Sequence, residues 1–472
     1  MISKAGKGVI WSAIERFLTQ GIQFTLSFLI ARKLMPSDYG LIAMLSIFFA
    51  IAQTFIDSGF STALIQKQER TENDKTTVFY FSLIVSLLCY FLLFISGPFI
   101  SDFYSEPLLT KILRLSGLTL IINAIVTVHR SLLIISLEFK KIAYISITSV
   151  IISGSLAVWM AYSGFGVWTL VYQSLISSSL ITILTVMAKR WIPSLAFSKE
   201  SFFSLFGFSS KILISRILHT IYTNLYSLII GKFYSPYSLG LYNRASTLSN
   251  FATINYTSVI QSVAYPVECT LQNDDKKLTR TYFSYLRMAF FVISPLSMGL
   301  CSLAYPFINV VLTDKWTPCV PYLQILCFAY LLYPMMCLNY DLLNVKHRSD
   351  MSLESEIIKK VSGLLILLLT LPFGLLVMCL GLIVYEFIDI FIITRYTKRL
   401  IPELNMCRQL KEISPIIICS FIMSISLFLL QCIIPINVIN LLLLIMIGGI
   451  EYVVLSYFLM KEEFTKFLSL LK

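Results

Sequence analysis

The chain has 472 residues, 57% of them hydrophobic and 13% charged, with a mean hydropathy of +0.81. A soluble domain averages about 25% charged residues, so this composition excludes a soluble globular protein and marks an all-α polytopic membrane protein. The formal charge of +12 is that of a nucleic-acid binder, but no nucleic acid is expected, because the positions of the basic residues explain the charge.

Apolar segments predict fourteen helices, over 9–32, 40–64, 77–97, 111–136, 142–163, 166–188, 208–231, 239–264, 283–304, 321–343, 355–371, 374–394, 413–434 and 437–459. The first run, Val9–Leu34, is too long for a cleavable signal peptide and carries Glu15 and Arg16. Its polar residues Ser12, Arg16, Thr19, Gln23 and Ser27 recur at steps of three and four, which puts them on one face. A charge at the bilayer centre costs at least about 2.5–3.5 kcal/mol, so this face turns to protein or water.

With a cytoplasmic N-terminus, the inward segments hold 25 Lys and Arg residues and the outward loops hold four: Arg32, Lys33, Lys232 and Lys315. That asymmetry predicts both termini inside. An internal repeat runs at an offset of 200. Residues 29–41 (LIARKLMPSDYGL) resemble 229–241 (IIGKFYSPYSLGL), aligning Pro36 with Pro236 and Gly40 with Gly240, and Arg16 falls on Arg216. Phe165-Gly166 recurs as Phe373-Gly374. The chain therefore divides into an N-lobe over 1–190, a cytoplasmic linker over 191–206, a C-lobe over 207–400 and two further helices with a tail over 401–472.

The seventh helix places Lys211, Ser215, His219, Tyr222 and Tyr226 on one face, flanked by Arg216; the eighth adds Asn243, Arg244, Thr247 and Asn250. Together with Arg16 and Gln23 these residues make an excess of cations that suits an anionic, phosphate-bearing substrate. For Lys211 and Arg244 a second reading is equally open, in which they snorkel to an interface. His219 as a packed histidine is the commoner case. The acids Glu15, Asp57, Glu386 and Asp389 are candidates for coupling to H+ or Na+, with Glu15 first because its repeat position is Ser215. Each also has a structural reading: Glu15 holding a basic neighbour, Asp57 at a helix end, Glu386 and Asp389 pairing with basic residues across the bundle. The ten cysteines form no CxxC pair and read as inert apolar residues, so no metal is expected. GxxxxGK[ST], HExxH and GxSxG are all absent, which argues against ATP hydrolysis or enzymatic chemistry. Pro295 and Pro334 are expected inside helices.

Seven motifs carry a resemblance. They are Gly8–Phe24 (GVIWSAIERFLTQGIQF), Pro36–Gly40 (PSDYG), Asp57–Lys67 (DSGFSTALIQK), Gly164–Leu170 (GFGVWTL), Phe206–Lys211 (FGFSSK), Leu239–Ala245 (LGLYNRA) and Lys315–Leu326 (KWTPCVPYLQIL). In order and spacing they resemble the Wzx-type polysaccharide exporters, in the branch of the colanic-acid-type exporters. These belong to one superfamily with the MATE antiporters and the lipid II flippase MurJ. The resemblance covers about residues 5–400; beyond that it is hydropathy alone. It implies two six-helix lobes in a V around a cavity, in the cell inner membrane. It also implies a flippase that moves undecaprenyl-diphosphate-linked oligosaccharide units by alternating access for surface polysaccharide such as O-antigen or capsule, beside polysaccharide polymerase machinery. In MurJ the last two helices help form a lipid groove. The alternatives are a MATE-like small-molecule antiporter, which excess cavity cations disfavour, and a glycan polymerase or scaffold.

Overall fold

A computed structural model describes residues 2–57, 60–194 and 197–460. Within these, the side chains of residues 2–5, 7, 9, 201, 204–212, 214 and 215 lie outside the description. The described residues form helices and contain no strand. By contacts the chain divides into two compact units, Met1–Gly240 and Leu241–Lys472. The division falls at Gly240, not in the 191–206 linker, because the helix after that linker packs with the first unit.

The first unit contains α1 (Ile2–Ala31), α2 (Pro36–Asp57), α3 (Phe60–Gln66), α4 (Glu72–Tyr104), α5 (Leu108–Ser116), α6 (Leu118–Ile135), α7 (Phe139–Tyr162), α8 (Trp168–Ala188), α9 (Lys199–Phe233) and the start of α10 (Pro236–Thr270). The second holds the rest of α10 with α11 (Asp275–Ser302), α12 (Ala304–Leu312), α13 (Val320–Ala329), α14 (Tyr333–Val345), α15 (Ser349–Thr370), α16 (Leu375–Leu400), α17 (Met406–Ile433) and α18 (Val438–Leu459).

Ten candidate membrane spans qualify by length and apolarity among the described residues. The expected count of fourteen is therefore not reached on that criterion. α1, α9, α10 and α15 are long enough, at 30, 35, 35 and 22 residues, but their polar residues lower their apolarity. Three of these are the helices whose polar faces stand out in the sequence. The expected inward segment 344–360 is mostly helix, since α15 begins at Ser349. Pro295 lies inside α11 as expected, but Pro334 sits in the first turn of α14, where its missing N–H costs no helical bond.

Polar side chains fasten apolar helices in both units. In the second, Tyr282 of α11 donates to Gln409 Oε1 at 2.9 Å, and Asn339 of α14 donates to the same oxygen at 2.8 Å. Gln409 donates back to Asn339 Oδ1 at 3.1 Å, and Thr397 of α16 donates to it at 2.9 Å. Four helices thus share one buried network whose members satisfy each other. Tyr452 of α18 donates to the Phe291 carbonyl at 2.8 Å and joins the last helix to α11.

The repeat is written into the backbone. Ser105, Leu137 and Gly166 in the first unit have φ of 58°, 57° and 55°; Thr313, His347 and Gly374 in the second have 94°, 54° and 97°. Each pair ends or starts corresponding helices, at offsets of 208, 210 and 208 residues. Positive φ at four non-glycine residues shows that a sharp break recurs at these positions even where the side chain does not favour it.

The two Pro-x-x-x-Gly motifs meet inside the first unit. A Cβ on Gly40 would fall 1.7 Å from the Pro236 carbonyl oxygen, and one on Gly240 would fall 1.8 Å from that of Pro36. Each backbone occupies the space where the other would carry a side chain, so only glycine fits. We expect Gly40→Ala or Gly240→Ala to destabilise the protein by at least about 1–3 kcal/mol, the cost of overpacking. Gly21→Ala is the control, because nothing lies within 4 Å of a Cβ there. Thermal unfolding of the full chain in detergent measures the difference, and equal melting temperatures for all three variants contradict the packing argument.

Candidate functional site

The first unit gathers two arginines and two acids from four helices. Glu15 of α1 is not isolated: Ser146 of α7 donates to its Oε1 at 2.6 Å, and Arg130 Nη2 of α6 lies 4.0 Å from the same oxygen. The Glu15 side chain is 20% exposed and Arg130 is 52% exposed, so the pair sits where water reaches it and is worth little as a fastener. Asp57 at the end of α2 accepts from Gln53 Nε2 at 3.1 Å and stands in the field of Arg216 and Arg130. Arg130 therefore lies between both acids.

α9 runs antiparallel to α2 along a polar seam. Ser46 donates to Asn224 Oδ1 at 3.3 Å, the Thr54 and Thr220 hydroxyls are 3.2 Å apart, and at the end of the seam Asp57 meets the field of Arg216. That register turns Arg216 and His219 outward, and both are exposed, as are Arg16 and Gln23 on α1. Arg130 is the residue that sequence reading missed; its signal is a His129-Arg130 pair inside the apolar run 111–136. The side chain of Lys211 lies outside the described residues.

The remaining candidates lie in the second unit. Arg244 is buried, with its guanidinium 5.9 Å from the centre of the Trp316 ring, a cation–π arrangement and not a snorkelling one. Asn243 is half-buried, and Asn250 donates to Ser246 Oγ at 3.2 Å on its own helix. Asp389 pairs with Lys359 of α15 at 3.0 Å, and both side chains are nearly inaccessible, at 4% and 3%. Glu356 holds the same ammonium at 2.9 Å. The pairing of these acids with a base across the bundle is thus the arrangement present for Asp389. Glu386, one turn away, is 8% exposed and has no partner for Oε2 among the described residues. Lys359 also escaped sequence reading, because it sits in a segment counted as loop.

A further buried acid was not anticipated. Glu268 near the end of α10 is fully buried, and neither carboxyl oxygen has a hydrogen-bond partner among the described residues. Asp341 of α14 lies in its field and accepts from Gln261 Nε2 at 2.8 Å. A carboxylate stripped of water and donors needs a proton or a cation.

An apolar groove of about 490 Å³ runs between α11, α12, α17 and α18 in the second unit. Phe291, Pro295, Leu296, Leu427, Ile445 and Tyr452 line it, and Gly449 leaves its floor open, with nothing within 4 Å of a Cβ there.

Comparisons with known proteins agree with this architecture. A family model described as "Polysaccharide biosynthesis protein" matches residues 29–321. The teichuronic acid biosynthesis protein TuaB of Bacillus subtilis is 26% identical over 347 residues, 73% of this chain and 72% of that protein. The lipopolysaccharide biosynthesis protein WzxC of Escherichia coli is 25% identical over 358 residues, 75% and 73%. Among solved structures, the lipid II flippase MurJ in an inward closed conformation superposes with a TM-score of 0.77 at 16% identity, covering 95% of this chain and 98% of that one. An inward-facing multidrug-resistance MATE transporter gives 0.63 at 12% identity, covering 83% and 98%. The chain is a multi-pass membrane protein with the MurJ/MATE-like helical fold.

Lys359→Met leaves Asp389 buried beside Glu386 without its cation. We expect it to lower stability by about 3–5 kcal/mol, with most of the loss recovered in Lys359→Met/Asp389→Asn. Thermal melts of the purified single and double variants check this; additive losses would show that the two residues do not act as a pair.

Proposed function

Since the chain belongs to the polysaccharide biosynthesis protein family, we propose that it is a flippase, moving a polyprenyl-diphosphate-linked oligosaccharide across the cell inner membrane by alternating access, with both termini in the cytoplasm. The observation that carries this reading is the meeting of Arg130 and Arg216 with Glu15 and Asp57 inside a membrane protein, with the exposed Arg16 next to Glu15 on α1. Guanidinium forks match diphosphate oxygens. The apolar groove beside α17 and α18 has the composition an isoprenoid chain requires. The names of the relatives, in teichuronic acid and lipopolysaccharide biosynthesis, point to the same substrate class.

Transport without a nucleotide site needs a gradient or the membrane potential. Glu15 and Asp389 already have basic partners, so the coupling role falls to Glu268, which has no hydrogen-bond partner among the described residues, and its neighbour Asp341, with H+ or Na+ as the ion. The groups facing this pair are Gln261 and Tyr265 on α10, Tyr282 and Tyr285 on α11, and Tyr333 and Cys337 on α14. No basic side chain is among them. The alternative, a MATE-like antiporter of cationic drugs, is disfavoured by the exposed guanidiniums of Arg16, Arg130 and Arg216, which repel a cation. Direct contact with polysaccharide polymerase machinery remains part of the proposal.

In a strain lacking its own flippase, Arg16→Ala/Arg216→Ala and Arg130→Ala should each cut surface polysaccharide at least about tenfold, the equivalent of one charge-assisted contact. Normal export by well-expressed variants, or resistance to cationic drugs on overexpression, counts against the flippase reading. In transport assays Glu268→Gln should remove the dependence of export on the ion gradient. A variant that keeps that dependence would place coupling elsewhere. Gly449→Phe should fill the apolar groove and slow export several-fold while leaving the melting temperature nearly unchanged.

A further inference from the structure

Three loops of the first unit, rich in Lys and Arg, meet around a single pocket of about 480 Å³. Arg70 enters it from the turn after α3, Lys75 from the first turns of α4, and Lys189 and Arg190 from the end of α8. The acids at its edge are Glu72, bound to Lys75 at 2.6 Å, and Glu138, which takes Lys141 at 2.5 Å and Lys189 at 3.5 Å. The hydrogen bond from Lys141, followed by the charges of Lys141 and Lys189, holds the Glu138 carboxyl below the usual range, so it stays ionised at neutral pH. Four cations line the pocket itself, and no acid is among its lining residues.

Exposed basic residues usually splay apart into water, but here the frame holds Arg70, Lys75 and Lys189. Arg70 donates from Nε to the Leu64 carbonyl at 2.9 Å and from Nη2 to that of Ile65 at 3.0 Å, closing the end of α3. Lys189 donates to Ser136 Oγ at 2.9 Å. The wall is Trp191, whose indole N–H donates to Glu72 Oε2 at 2.9 Å and whose carbonyl lies 3.1 Å from Nε2 of the buried His129. Its ring stands edge-on to Phe79 and His129, with centres 5.9 and 5.4 Å away. Arg190 is exposed and makes no hydrogen bond or ion pair among the described residues.

The surroundings are apolar on one side. α8 presents Ile183 and Met187 outward, 55% and 63% exposed, and Ile192 just beyond the pocket is 86% exposed. On a membrane-spanning helix such a face meets acyl chains. A pocket of fixed cations at the end of that face suits a phosphate tethered to lipid. We propose that this pocket binds the phosphate headgroup of an anionic phospholipid, with the acyl chains lying along α8. It shares no residue with the arginine cluster and does not depend on what the protein transports.

The test uses the purified full chain in nonionic detergent and titrates short-chain phosphatidylglycerol. Lys75→Gln/Arg190→Gln should weaken binding about 30-fold, while Lys276→Gln/Lys277→Gln, which removes two cations elsewhere, changes it less than about twofold. Arg190→Gln alone, at an exposed residue, should weaken it about fivefold and guards against misfolding of the double variant. Three results would overturn the proposal: phosphatidylglycerol affinity unchanged in variants that melt like the parent, equal binding of phosphatidylcholine, or displacement by inorganic phosphate or farnesyl diphosphate more effective than by phosphatidylglycerol. The last result would assign the pocket to a free phosphate or to a polyprenyl carrier.

Discussion

A charge inside a membrane helix must be answered within the protein or at water, and this constraint decides which helices of the chain can face lipid. Asp389 is answered by Lys359, Glu15 by Ser146 and Arg130, and Arg244 by the face of Trp316. Where an answer is polar but uncharged, helices are drawn together, as along the seam of Ser46, Thr54, Asn224 and Thr220 between α2 and α9. The helices too polar to count as spans, α1, α9, α10 and α15, carry Glu15, Asn224, Thr220, Arg244 and Lys359 from these sets.

The same constraint separates the acids that fasten from the acids that stand ready. Lys359 lies between Glu356 and Asp389, which makes α15 and α16 a fixed pair. Glu268 has no such counterpart, and its surroundings of tyrosines offer polarity without positive charge. A fully paired network specifies a structure, whereas an unpaired acid leaves a dependence on whatever ion the solution supplies.

Hydropathy carried the helical class, the membrane setting and most helix positions, since these follow from long apolar runs. The offset of 200 carried the repeat, because Pro36, Gly40, Pro236 and Gly240 are fixed by backbone contact and cannot vary freely. Partners across helices were not legible. Arg130 and Lys359 sit in segments read as apolar or as loop, and nothing in one dimension says that they reach Glu15 and Asp389. Asp341 was likewise invisible, being one acid within a long span until the fold set it beside Glu268. Local breaks were partly legible. Gly374 marked the turn before α16, while the division of 111–136 at Gly117 carried no apolarity signal.

The reciprocal contact of Gly40 and Gly240 has an evolutionary consequence. Ordinary duplicated segments drift apart, because each copy answers only to its own surroundings. Here the carbonyl of one copy fills the volume that a side chain on the other would need. Neither copy can acquire a larger residue there by a single mutation, and no compensating change in its twin opens the space, since the obstruction is main chain. The two halves are thus held to a shared ancestral letter at this point while the rest of their sequences separate.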